Sequence, residues 1–101
     1  MKTRQSAAMV IKEKDNVATA IKELASGNRV LVRVGREDRQ VKVKSDIRFL
    51  HKFALEDIKK GQHAIKYGQP IGEATRDIQK GEHVHTHNLR SLRGRACSVY
   101  R

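Results

Sequence analysis

The densest concentration of chemically useful side chains in this sequence is His85-Thr86-His87-Asn88. In an extended strand residues i and i+2 share a face, so His85 and His87 converge on one point. Neutral imidazole binds iron, zinc and related divalent ions. Two histidines do not complete a metal site, and a further ligand has to come from His51, a carboxylate or another chain. Two surface histidines on an exposed strand fit the same spacing. His51-Lys52 is the second candidate, bracketed by Phe49-Leu50 and Phe53-Ala54-Leu55. There Lys52 can hold a carboxylate as a point charge, and His51 can serve as acid, base or ligand. A solvated basic pair between two buried aromatics is the simpler reading of that spacing taken alone.

Other features carry less chemistry. Lys66-Tyr67-Gly68-Gln69-Pro70-Ile71-Gly72 is a turn-rich loop whose glycines would let a backbone approach a ligand, but the spacing is that of a tight corner and not of a phosphate loop. His63 and His83 fall at matching places in a repeat, which points to structural or exposed roles. The single cysteine, Cys97, excludes an internal disulfide and a cysteine-rich zinc site. No pair of acids is placed for glycoside chemistry.

These groups need elements to hold them. Ala8-Met9-Val10-Ile11 marks a buried strand over 8–12, after a flexible basic start at 1–7. Val17, Ala20, Ile21 and Leu24 recur at i, i+3, i+4, i+7 after Asp15-Asn16, and Gly27 follows, which predicts one short helix of about ten residues. Arg29–Val34 and Gln40–Lys44 alternate, with Val30, Val32, Val34, Val41 and Val43 on the inner side, and predict a hairpin turning at 35–39. Beyond residue 46 short apolar pieces are punctuated by glycines, as short strands and turns would be. Ala54–His63 matches Ala74–His83 at an offset of 20 residues, sharing Ala, Asp, Ile, Lys, Gly and His. Asp starts each turn, Ile plugs the core, and Gly takes a backbone conformation other residues resist. Arg90–Arg101 is rich in arginine without acids and reads as a basic tail behind a domain ending at residue 89.

At 101 residues the chain supports one small domain, burying about 60–65% of its unfolded surface. It carries 22 Lys and Arg against 11 Asp and Glu, a formal net charge of +11. That charge suits anionic partners. It is scattered and lacks any recognition motif, and the aromatic platform of single-strand binders is absent, so nucleic acid is disfavoured. No apolar run approaches a membrane span and no signal-peptide core is present, which makes a cytoplasmic protein the expectation.

Several strings extend this reading. Asp46-Ile47-Arg48-Phe49-Leu50-His51-Lys52-Phe53-Ala54-Leu55, Ile65-Lys66-Tyr67-Gly68-Gln69-Pro70-Ile71-Gly72 and Gly81-Glu82-His83-Val84-His85-Thr86-His87-Asn88-Leu89 together resemble the amino-terminal SAF domain of the altronate/galactarate dehydratase family. The resemblance covers about residues 9–93. It implies a β-clip fold similar to type III antifreeze proteins, here mainly β with the one short helix (α+β). Family members are sugar-acid hydro-lyases that need a divalent metal, usually Fe2+. The resemblance therefore implies a small subunit or amino-terminal domain that works with a larger catalytic lyase partner on a small anionic sugar acid, inactive alone. Relatives such as sulfolactate sulfo-lyase pair a small SAF subunit with a large one, and a non-catalytic SAF binding module is a further alternative. A homo-oligomer is compatible with either. By this resemblance His85 and His87 sit near the metal, His51 and Lys52 are the catalytic candidates, and Lys52 and Asn88 face the substrate.

Overall fold

A computed structural model describes residues 8–10, 12, 14–34 and 36–91. Among the described residues nine strands follow in chain order: β1 Ala8–Val10, β2 Val17–Ala20, β3 Arg29–Val34, β4 Glu37–Lys42, β5 Lys52–Ala54, β6 His63–Lys66, β7 Gln69–Ala74, β8 His83–Val84 and β9 Leu89–Ser91. Six form one sheet in the order β4-β3-β1-β2-β5-β8, and three form a second, β6-β7-β9. Only the β1–β3 pairing is parallel among these. The short, curled strands are those of a β-clip. The expected hairpin is β3–β4, with Val30, Val32, Val34, Val41 and Val43 buried. Its turn is tighter than 35–39, because Val34 already pairs with Glu37. The expected strand at 8–12 is β1 for its first three residues, and Ile11 lies outside the described residues, as do 1–7 and 92–101. β9 takes in Arg90 and Ser91, two residues past the point where the sequence pattern ended the domain.

The expected helix at Asp15–Gly27 is a correction: the described residues contain no helix, and the segment is strand β2 followed by a turn. β2 lies between β1 and β5, with Ala18 opposite Phe53 and Val17 opposite Ala54. Both of its faces are covered, so Val17 and Ala18 are buried side by side and the strand's period of two disappears from the sequence. Asp15 and Asn16 do accept orphan N–H groups, but not from a helix start. The Asp15 carboxylate accepts from Tyr67 N–H (3.0 Å) and Gly68 N–H (2.8 Å), and Asn16 Oδ1 accepts from Ile65 N–H (2.6 Å). They fasten the β6–β7 hairpin to the rest of the domain.

The repeat noted at residues 54–83 is one half of a fourfold pattern. Leu24, Ile47, Ile58 and Ile78 each centre the same turn, and they bridge in pairs, Leu24 with Ile47 and Ile58 with Ile78. Within the second pair Ile58 and Ile78 exchange both backbone hydrogen bonds, at 2.8 and 2.7 Å. Asp57 accepts from Lys80 N–H at 2.8 Å and Asp77 from Lys60 N–H at 2.9 Å, so each turn caps the other. In the first pair Leu24 and Ile47 exchange the same bonds at 2.9 Å, and Asp46 accepts from Ser26 N–H. The position three residues after each centre has positive φ: Gly27 at 91°, Leu50 at 70°, Gly61 and Gly81 at 89°.

Two cores result. One is formed by Val30, Val32, Val34, Val41, Ile47 and Phe53 with their neighbours, and the other by Val17, Ala54, Ile58, Ala64, Ala74, Ile78 and Val84. β2 and β5 are the wall between them: Ala18 and Phe53 face the first core, while Val17 and Ala54 face the second. No helix among the described residues is long and apolar enough to cross a membrane.

Candidate metal and anion site

The functional candidates collect where β5 pairs with β8. Lys52 lies opposite Val84 and Phe53 opposite His83. His51 enters from the end of the Ile47 turn, where its N–H donates to Arg48 O (2.9 Å) and its carbonyl accepts from Ala20 N–H (2.8 Å). The pairing therefore brings together two histidines 32 residues apart, with His51 Nδ1 3.0 Å from His83 Nε2.

His85 joins them. Its ring stacks on His51 at 4.7 Å between centroids and on His83 at 5.3 Å. The three side chains offer nitrogens that all lie within 4.8 Å of one another. Two nitrogens on one ion at about 2.1 Å are about 4 Å apart at most, so the widest of these spacings has to close for all three to bind one ion. Three imidazoles suit iron, zinc or nickel in type, so the residues present fit a divalent transition metal.

His85 and His87 do not share a strand face, which is the second correction to the sequence reading. β8 ends at Val84, and residues 85–88 form a turn. His87 tilts against His83 at 5.3 Å and is not one of the three convergent imidazoles. His83 takes its place. The 83/85/87 spacing is the sequence signal for His83, while its match to His63 in the repeat points to a structural role instead. His63 itself is exposed on β6, apart from the cluster.

Asn88 holds the turn. It is fully buried; its Nδ2 donates to His83 O (2.8 Å) and its Oδ1 accepts from His85 N–H (3.0 Å). Its backbone N–H donates to His85 O, and its carbonyl accepts from Thr75 N–H. Both ends of the side chain are thus committed to the protein. By these bonds Asn88 positions His83 and His85.

Lys52 lines a cleft of about 310 Å³ beside His85. Lys66 is its second cation, and Ile71, Val84 and Leu89 supply apolar wall. Burial lowers the Lys52 pKa from its ordinary 10.5, and the neighbouring Lys66 ammonium lowers it further. Two ammonium groups drawn to one partly apolar cleft repel each other, and an anion placed between them relieves that repulsion. His83 is pushed down from 6.5 to about 4, first by burial, then by the charges of His51, His87 and His85. It therefore stays neutral, with a lone pair to donate, across the physiological range.

Residues 6–92 match the family model described as the altronate/galactarate dehydratase SAF domain. The chain belongs to this SAF-domain family. It is 49% identical over 77 residues to altronate dehydratase of Escherichia coli (strain K12), a match covering 76% of this chain and 15% of that protein. It is 40% identical over 81 residues to altronate dehydratase of Bacillus subtilis (strain 168), covering 80% of this chain and 16% of the relative. The chain thus spans under a fifth of the altronate dehydratases it matches. A third relative, (2R)-sulfolactate sulfo-lyase subunit alpha of Paracoccus pantotrophus, is 43% identical over 56 residues, 55% of this chain and 84% of the subunit. The SAF-domain match takes in all nine strands and every residue of the histidine cluster.

Proposed function

We propose that this SAF domain is the metal- and acid-binding part of a carbohydrate-acid hydro-lyase of the altronate dehydratase kind, acting with a larger catalytic partner. The observation that carries this is the convergence of His51, His83 and His85 beside the Lys52/Lys66 cleft. His51, His83 and His85 would hold a divalent metal, Fe2+ in the family's manner. When bound, the metal supplies Lewis acidity toward carboxylate and hydroxyl oxygens.

The domain's own residues do the rest of the binding. Lys52 and Lys66 hold the substrate carboxylate and fix which end of a sugar acid enters. Ile71, Val84 and Leu89 keep water from the buried side of the cleft, which strengthens those charge contacts. Asn88 holds His83 and His85 in place. Dehydration removes a proton from the carbon next to the carboxylate and hydroxide from the following carbon, and the resulting enol becomes a 2-oxo acid. In this reading Lys52 and His51 stabilise the charge that develops, and the base comes from the partner.

The test is an assay of the domain with its partner, under low oxygen and with added Fe2+. Altronate or galactarate should be converted to a 2-oxo-3-deoxy acid, and Lys52→Met should raise KM at least tenfold. Full activity in Lys52→Met combined with Lys66→Met would overturn the assignment of the cleft.

A second reading is the small subunit of a sulfo-lyase acting on (2R)-sulfolactate. The coverage of 84% of the Paracoccus subunit favours it, because the domain then has a whole subunit as counterpart. The same cleft would hold the carboxylate, and sulfite would leave in place of water. Release of sulfite rather than a deoxy sugar acid by the assembled enzyme distinguishes the two.

A further inference from the structure

Phe49 and Leu50 stand out of the fold, 55% and 58% exposed, immediately before His51. Leu50 is also the exception among the four related turns. Gly27, Gly61 and Gly81 occupy the equivalent position, and Leu50 holds the same left-handed conformation at φ 70° with a side chain attached. That conformation costs a side-chain-bearing L residue free energy that glycine avoids. The backbone bond made there, Leu50 N–H to Ala20 O at 2.8 Å, would be available to glycine as well. The side chain is mostly in solvent, so it does not compensate through the domain's own core.

Leu50 is not isolated. With Met9, Ile21 and Tyr67 it lines a second cleft, of about 270 Å³. Met9 and Tyr67 are themselves 51% and 55% exposed. Lys66 and Tyr67 line both this cleft and the Lys52 cleft, so the apolar face is continuous with the anion site.

We propose that Leu50, flanked by Phe49, is the apolar anchor that seats this domain on the larger catalytic part of the lyase, beside the site the two complete. This rests on the function proposed above. The occupant is argued from three observations. The domain spans only 15% and 16% of the altronate dehydratases, so such enzymes contain ample chain to cover this face. The face adjoins the Lys52 cleft through Lys66 and Tyr67, so a partner seated on it also covers that cleft and excludes water from it. The chain carries +11, so the matching surface is an apolar socket with an acidic rim, whereas a second copy would set two strongly basic surfaces together.

The test compares the wild type with Leu50→Gly and Leu50→Asn, both of which accept positive φ. Both variants should keep or raise the melting temperature. Each tagged full chain is then co-purified from extract of its own host, and the captured chain is identified by mass spectrometry against the part of altronate dehydratase that this domain does not cover. The wild type should capture such a chain stoichiometrically, with hydro-lyase activity, and both variants should bind it at least about tenfold more weakly. His85→Ala should capture it fully and give an inactive complex. In a covalently continuous enzyme the same Leu50 variants should speed limited proteolysis between this domain and the remainder. Undiminished capture by both Leu50 variants, or undiminished protection, overturns the anchor and leaves the proposed function standing. A wild type that captures no such chain, or an inactive one, overturns both. Leu50-dependent dimers of the chain alone in sedimentation overturn the proposal in favour of a second copy.

Discussion

His51 Nδ1 and His83 Nε2 lie 3.0 Å apart because β5 and β8 pair with Phe53 opposite His83. The contact depends on the two turns that deliver the strands, one centred on Ile47 and one on Ile78. At that spacing the two rings share a proton or a metal ion. Nitrogens bound side by side to one ion at about 2.1 Å are roughly 3.0–3.4 Å apart, so the distance within the pair matches that of two ligands on one ion. Titration calorimetry with Co2+ or Fe2+ should show His51→Ala, His83→Ala and His85→Ala each weakening binding tenfold or more. His87→Ala should change affinity less than about threefold, since His87 touches the cluster only through the His83 ring. A larger loss for His87→Ala than for His83→Ala would restore the 85/87 pair.

The metal-free domain should lose stability in acid through His83. Its pKa falls from 6.5 to about 4 on folding, so the unfolded chain takes up a proton more readily than the folded one. The contribution of this group is fully present above about pH 6.5. It is lost progressively as the pH falls from there to about 4, and no further below that. NMR titration of the His83 ring should give a midpoint near 4, and His83→Gln should flatten the stability profile in that window. A midpoint above 6 would remove the basis for a neutral ligand at this position.

Much of this was legible in the sequence, for identifiable reasons. The β3–β4 hairpin announced itself because one face is wet and the valines alternate. The 54–83 repeat was visible because both copies keep Asp, Ile, Lys and Gly, the residues their mutual caps require. The first pair of turns was hidden, since Leu24 stands for Ile, Ser26 for Lys and Leu50 for Gly. β2 was misread as helix because strands covered on both faces lose their alternation. At the site, His51, Lys52, His85 and His87 were legible as candidates, of which the structure brings His51 and His85 together. Their partner His83 was not, because only the β5–β8 register shows which histidine faces which.

Asn88 should prove a positioning residue with a measurable effect on the metal. Asn88→Ala leaves His85 N–H and His83 O without their partners, at a cost of about 2 kcal/mol in urea unfolding. It also frees the turn that aims His85, so metal affinity should fall although no ligand is removed. Asn88→Asp retains an acceptor for His85 N–H and loses the donor to His83 O, so it should lie between wild type and alanine in both measurements. An Asn88→Ala variant with unchanged metal affinity and weakened sugar-acid binding would return Asn88 to the substrate.

Gly61 and Gly81 are matched by the repeat but not by their surroundings, and their alanine variants should differ. Both sit at φ 89°, so each substitution carries the same conformational cost of about 1 kcal/mol. A methyl group at Gly61 meets open space. At Gly81 it collides with the carbonyl of Lys42, a backbone group that cannot swing aside, and presses on Val43 Cα. Gly81→Ala should therefore cost over about 2 kcal/mol more than Gly61→Ala, since the Lys42–Val43 segment has to shift. Because that segment leads into the Ile47 turn and on to His51, Gly81→Ala should also weaken metal binding, while Gly61→Ala leaves it unchanged. Equal urea midpoints for the two variants would show that the two halves of the repeat are packed alike, against the close approach of Lys42 seen at only one of them.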